Sequence, residues 1–146
     1  MSTRTPRPQL LVSTDWLARH LDDPQLRIFD ATAHMISQPT GPSIVKSARP
    51  DWELGHIPNS AYLSMVDDLH TPGQDKPYAF PDARQVTESL RRLGVTQGSH
   101  IVLYGAGLTA AITRVWWVLR AYGMDKVSIL DGGWPKWQRE GRPVST

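Results

Sequence analysis

The sequence predicts an α/β domain with a central parallel β-sheet flanked by helices on both faces. Two observations carry this. First, short apolar runs at 26–31, 61–63, 100–104 and 127–130 read as strands, and capped or amphipathic segments between them read as helices. Strands that alternate with helices form parallel sheets covered on both faces. Second, one continuous stretch, 100–123, contains a whole strand–loop–helix unit. His100, Ile101, Val102, Leu103 and Tyr104 read as a buried strand, and Gly105 to Ala110 as a turn of small residues. Val115, Val118, Leu119 and Tyr122 then recur at helical spacing as far as Gly123, a suitable C-cap.

The remaining elements follow in order. Residues 1–10 read as a loose, polar, disordered tail. Ser13 or Thr14 caps a short helix at 15–21. Asp15 lies in its first turn, where the helix dipole favours negative charge, and Trp16, Leu17 and Leu21 form its apolar face. Asp22, Asp23 and Pro24 end it. The strand at 26–31 carries Asp30 at its carboxyl end. Residues 32–50, with Pro39, Pro42 and Pro50, read as a long loop, and long loops in compact domains are functional or mobile. Residues 51–55 read as one helical turn, 55–60 as a turn before the next strand, and 67–81 as a second polar loop. Asp82 precedes a helix at 84–93 that Gly94 closes. After the last strand, Gly132 and Gly133 turn into a helix at 135–140, with Pro135 suited to its first turn. Residues 142–146 read as a linker. The expected organisation is one domain at 11–144, with 145–146 beginning a linker.

A chain of 146 residues holds one domain with a sizeable core. The formal net charge is +2, and only Arg91 and Arg92 are adjacent among the basic residues, so these read as solvated helix faces and no nucleic-acid partner is expected. No apolar run is long enough to span a bilayer, and no membrane partner is expected. Met1 to Gln9 carry no apolar signal core, which predicts a cytoplasmic protein. The chain has no cysteine, which excludes disulfides, thiolate metal sites and cysteine catalysis within it. Neither a metal nor a cofactor is expected.

In parallel sheets, ligands bind beyond the carboxyl ends of the strands. The sequence places Asp30, residues 104–109 and Asp131 there. Unpaired N–H groups at a helix N-terminus favour anions, so Gly105, Ala106, Gly107, Leu108 and Thr109 are candidates for an anion cradle. The alternative is a structural loop whose amides are satisfied within the fold. The loop holds no evident nucleophile. Asp30 either supports the loop or a ligand, or stabilises a turn. His56 reads as a turn residue and Arg114 as a carboxylate anchor or an interface ion pair. Trp116 and Trp117 are adjacent and point in different directions, one into the core and the other onto a neighbouring helix or a partner domain.

Several segments resemble the rhodanese family of sulfurtransferases, in the family's order over 11–144. They are Leu11-Val12-Ser13 with Trp16, Phe29-Asp30-Ala31, Gly55-His56-Ile57-Pro58 with Ala61, Leu93-Gly94-Val95, Arg114-Val115-Trp116-Trp117-Val118-Leu119-Arg120, and Leu130-Asp131-Gly132-Gly133 with Trp137 and Gly141. Arg-Val-Trp-Trp ahead of Leu-Asp-Gly-Gly is characteristic of the N-terminal, non-catalytic domain of two-domain thiosulfate or 3-mercaptopyruvate sulfurtransferases. The resemblance implies a rhodanese-like fold. It also implies that active members carry a cysteine at the start of the loop after the fourth strand. That cysteine takes sulfane sulfur as a persulfide, stabilised by loop N–H dipoles, and passes it to cyanide or a thiol.

Matching the glycine-rich loop puts Tyr104 at the cysteine position, whereas counting along the strand or back from Arg114 puts Gly105 there. Neither can carry a persulfide, so the chain alone is expected to be inactive. The resemblance implies a catalytic rhodanese domain of the same polypeptide as partner, and a small anionic sulfur donor in the full protein. In some N-terminal halves an aspartate and a histidine face the partner's cysteine. Here Asp67 and Asp68 stand slightly out of step, His70 is not aligned, and 77–81 holds no histidine in register. The other reading is a stand-alone regulatory or binding module.

Overall fold

A computed structural model describes residues 10–73, 79–107 and 109–146. The expected tail except Leu10, part of the expected 67–81 loop, and Leu108 of the candidate cradle lie outside the described residues. In chain order the elements are β1 (Leu11–Val12), α1 (Thr14–His20), β2 (Leu26–Asp30), β3 (Ala33–Ile36), β4 (Ile44–Ser47), α2 (Arg49–Leu54), β5 (Ser60–Tyr62), α3 (Ala83–Arg92), β6 (His100–Tyr104), α4 (Thr109–Ala121), β7 (Val127–Leu130) and α5 (Gly133–Arg139). Among the described residues no helix is long and apolar enough to cross a membrane.

Five strands form one parallel sheet in the order β1-β7-β6-β2-β5. β6 is central and pairs with β2 from Leu26 opposite His100 to Asp30 opposite Tyr104. Alternation along β6 explains why both faces are covered. Ile101 and Leu103 face one layer, packing with Val86 and Leu90 of α3 and with Ile112, Val115, Val118 and Leu119 of α4. Val102 and Tyr104 face the other, packing with Leu17 of α1 and Trp137 of α5. The predicted α/β architecture is therefore the observed one. Local chemistry sets the helix starts. Ser13, not Thr14, is the cap of α1, its Oγ accepting the Trp16 N–H at 3.0 Å, and Asp82 Oδ1 accepts the Gln85 N–H at 2.8 Å ahead of α3.

The structure corrects the reading of 32–50 as a loop. β3 and β4 pair antiparallel, with Ala33 opposite Ser47 and Ile36 opposite Ile44. Each strand has four residues, and Met35, Ile36 and Ile44 stay exposed, so the apolar residues of the two strands do not mark a buried face in the sequence. The hairpin is rooted by a tertiary contact instead. Tyr62 Oη donates to the Thr32 carbonyl at 2.5 Å and accepts the Ala48 N–H at 2.8 Å, holding both ends of the hairpin at once. α2 also begins earlier than expected, with Pro50 in its first turn. β1 was not anticipated as a strand. It is two residues long and is fixed by Ile129 N–H to Leu10 O and Asp131 N–H to Val12 O, at 2.7 and 2.9 Å. At the other end, residues 143–145 fold back. Trp137 Nε1 donates to Pro143 O at 2.7 Å, and His56 and Ser145 exchange backbone hydrogen bonds of 2.8 and 2.9 Å.

Trp137 is fully buried, while Trp117 is 58% exposed on α4. Trp137→Ala should cost about 3–5 kcal/mol, and Trp117→Ala should stay within about 0.5 kcal/mol of the parent. Urea denaturation of both variants checks the contrast; equal losses would contradict these packing assignments.

Candidate functional site

The site forms where β2 and β6 end side by side. Asp30 and Tyr104 are register partners there, and Ala31 N–H continues the pairing to the Tyr104 carbonyl at 2.9 Å. The Tyr104 ring belongs to the core and is fully buried. Its hydroxyl accepts the Ile57 N–H at 3.2 Å and lies 3.0 Å from Ser60 Oγ. Burial, with the nearby Asp30 carboxylate, pushes the phenol well above its usual pKa, so it stays neutral. Tyr104 is thus a strut between β6 and the turn before β5.

Gly105 is buried where three segments meet. A Cβ there would lie 2.7 Å from Thr32 Oγ1 and 2.8 Å from Ile112 Cδ1. Its carbonyl accepts the Trp134 N–H at 3.0 Å. The turn after β7 comes so close that a Cβ on Gly133, whose φ is +59°, would lie 2.5 Å from the Gly105 oxygen. Only glycine permits that approach.

Thr32 connects the loop to the sheet. Its N–H and Oγ1–H both donate to Asp30 Oδ1, at 2.9 and 2.6 Å, and its Oγ1 accepts the Ala106 N–H at 3.0 Å. One amide of the expected cradle is therefore engaged inside the fold. Burial raises the pKa of Asp30, and the Asp51 charge adds to the rise, while the Thr32 hydrogen bonds and His56 oppose it. A carboxyl perturbed mainly by burial at the rim of a cavity marks a functional-site candidate.

Two cavities flank the loop. One, about 300 Å³, opens between the loops after β6 and β7 and is bounded by residues 104–107, Ile112, Leu130 and Pro135. The other, about 220 Å³, is bounded by Asp30, Thr32, His34, Asp51, Ala106 and Trp134. His34 Nε2 lies 2.7 Å from Asp51 Oδ2 in its wall. Among the described residues no group of three or more acidic or histidine side chains could hold a metal.

The structure therefore brings Asp30 together with Gly105, Ala106 and Gly107, and Thr109 begins α4. The other candidates lie elsewhere. His56 stacks on Trp52 with centroids 4.1 Å apart, and its Nδ1 lies 2.7 Å from the Trp52 carbonyl, as a turn residue should. Asp67 caps its own turn, its Oδ2 accepting the Ser64 hydroxyl at 2.8 Å. Arg114 lies over the Phe80 ring at 5.1 Å. Trp116 is half-buried, its Nε1 donating to Val127 O at 3.1 Å, while Trp117 faces outward. None of these five lines either cavity. Sequence reading missed Thr32, His34, Asp51 and Trp134. The Asp30-x-Thr32 spacing, an Asx-turn signal at a strand end, could have revealed Thr32. Nothing local links His34 to Asp51; the hairpin does.

Residues 13–140 match the family model described as Rhodanese-like domain. The chain is 34% identical over 129 residues to 3-mercaptopyruvate sulfurtransferase of Escherichia coli strain K12, covering 88% of this chain and 44% of that protein. It is 36% identical over 149 residues to the Homo sapiens 3-mercaptopyruvate sulfurtransferase, covering 95% and 48%. A crystal structure of the Escherichia coli 3-mercaptopyruvate sulfotransferase aligns with a TM-score of 0.81 at 32% identity, covering 94% of this chain and 50% of that one. The chain thus spans about half the length of the curated relatives it matches. Fold, segment order and sequence agree that the chain belongs to the rhodanese-like domain family.

Proposed function

We propose that this chain is a non-catalytic rhodanese domain of a sulfurtransferase. The parent protein moves sulfane sulfur from thiosulfate or 3-mercaptopyruvate to cyanide or a thiol, and this half supports the active-site cleft of a catalytic rhodanese domain in the same polypeptide. One observation carries the reading. At the end of β6, where the resemblance puts the family's cysteine, stand a core tyrosine and a glycine without room for a side chain, in a chain with no cysteine at all. Two further features support it. Among the described residues neither cavity beside the loop is lined by lysine or arginine, in keeping with a half that leaves the anionic donor to its partner domain. Trp117 leaves a large apolar ring in water on α4, with Phe80 and Tyr122 each 37% exposed, a surface suited to a partner domain.

The isolated chain should form no thiocyanate from cyanide with either donor. Turnover above buffer that co-purifies with the chain would refute the reading. Gly105→Cys should restore little persulfide, because its Cβ would press on Thr32 Oγ1, which Asp30 holds in place. Mass spectrometry after thiosulfate incubation tests this, and a stoichiometric gain of one sulfur would show that only the thiol was lost. Reading the natural frame past Thr146 should reveal a second rhodanese repeat with a loop cysteine. A stop codon at that point would favour the stand-alone module.

A further inference from the structure

The amino-terminal end of β6 carries a contact that the loop site does not use. His100 opens the strand, and its backbone N–H donates to Gln25 O at 2.8 Å. Its half-buried ring meets two other elements. On β7, Nε2 lies 2.8 Å from Oγ of Ser128, a fully buried residue. On α1, the Trp16 ring lies 5.5 Å away, tilted by 56°. Trp16 also stacks on His20 with centroids 4.1 Å apart, so two imidazoles share one indole. The unit resting on this contact is small. β1 pairs with β7 through two residues, and α1 has seven. Besides Trp16, buried Val12 and Leu17 and a 2.5 Å hydrogen bond from Thr14 Oγ1 to Glu140 Oε1 hold it. Segments with few buried contacts open locally before the whole fold does.

From this geometry we infer that the Trp16–His100–Ser128 contact is a proton-operated clasp: neutral His100 holds the β1–α1 unit against the sheet, and charging it releases that unit. A neutral imidazole nitrogen can accept from the Ser128 hydroxyl, whereas a charged ring can only donate. The surroundings oppose the charge. Burial disfavours it most, Lys126 before β7 and His20 on α1 repel it, and among the described residues Asp23, after α1, attracts it. Together they hold the His100 pKa below its ordinary value of 6.5. The sign follows from linkage. The clasped chain binds fewer protons at His100 than a chain in which the ring regains water. The contact is therefore complete above 6.5 and is lost as the pH falls through the lowered value. The device lies at the opposite end of β6 from the loop and does not depend on the proposed sulfurtransferase role.

The test is an NMR titration of the isotope-labelled chain between about pH 8 and about pH 5, the range in which histidine acts as a switch. It follows the His100 ring, the Trp16 indole N–H, the α1 amides and, as a reference, the Ile28 and Phe29 amides of β2. The His100 midpoint should lie below 6.5. The Trp16 and α1 signals should move with that midpoint, and the β2 signals should not. His100→Gln should abolish the α1 response. Lys126→Gln changes an exposed side chain and keeps the imidazole, so it serves if the first variant does not fold. It should raise the His100 and α1 midpoints together. His20→Gln should keep the α1 response and raise its midpoint, which separates the clasp from titration of His20 itself. A His100 midpoint at or above 6.5, α1 signals that ignore it, an α1 response that vanishes with His20, or β2 amides that titrate alongside α1 would overturn the inference.

Discussion

Asp30 Oδ1 receives both the N–H and the O–H of Thr32, and the geometry beyond the sheet follows from that pair of hydrogen bonds. Once its proton points at Asp30, the Thr32 hydroxyl offers a lone pair to Ala106 and fixes the start of the loop after β6. The Thr32 carbonyl accepts the Tyr62 hydroxyl, which also takes the Ala48 N–H and closes the base of the β3–β4 hairpin. The hairpin in turn carries His34 to Asp51. One residue thus coordinates strand, loop and hairpin, through its hydroxyl and its backbone carbonyl. Such a network holds because the site is buried, where satisfied hydrogen bonds are strong and broken ones are costly.

The same network surrounds the two positions where the resemblance puts the family's cysteine. A persulfide-carrying loop needs an exposed thiolate and amides free to stabilise it. Here the two positions that could match the thiol serve packing instead. Tyr104 fills the space beneath the sheet end and fixes the Ile57 turn, and Gly105 lets Trp134 and Thr32 come within hydrogen-bonding distance of the loop. The loop is held by Thr32 and Trp134, and Asp30 and Asp51 line the cavity beside it.

A rhodanese-like domain of this kind divides its surface by chemistry. Beyond the carboxyl ends of β2 and β6 lies an acidic cavity built on buried hydrogen bonds. On α4 lies an aromatic surface in which Arg114 covers Phe80, Arg120 covers Trp116 and Trp117 remains open. The second leaves apolar ring area in water whose burial would be favourable.

Much of the architecture was legible in the sequence, because it is written in local terms. Apolar β-branched runs gave β2, β6 and β7, and capping residues and glycines bracketed α1, α3 and α5 to within a residue or two. The absence of cysteine by itself excluded disulfides and cysteine catalysis within this chain. Asp30 and residues 105–107 were placed correctly at the strand ends because a parallel sheet has one ligand-facing edge. Tertiary structure alone decided the rest. β1 exists only because β7 offers it partners, and the β3–β4 hairpin forms where Tyr62 can hold both its ends. The sign of charge beside the loop was invisible for the same reason: His34 and Asp51 are 17 residues apart and meet only once that hairpin has formed. Periodicity and capping report what a residue does with its near neighbours; hydrogen bonds between distant segments require the chain to be folded first.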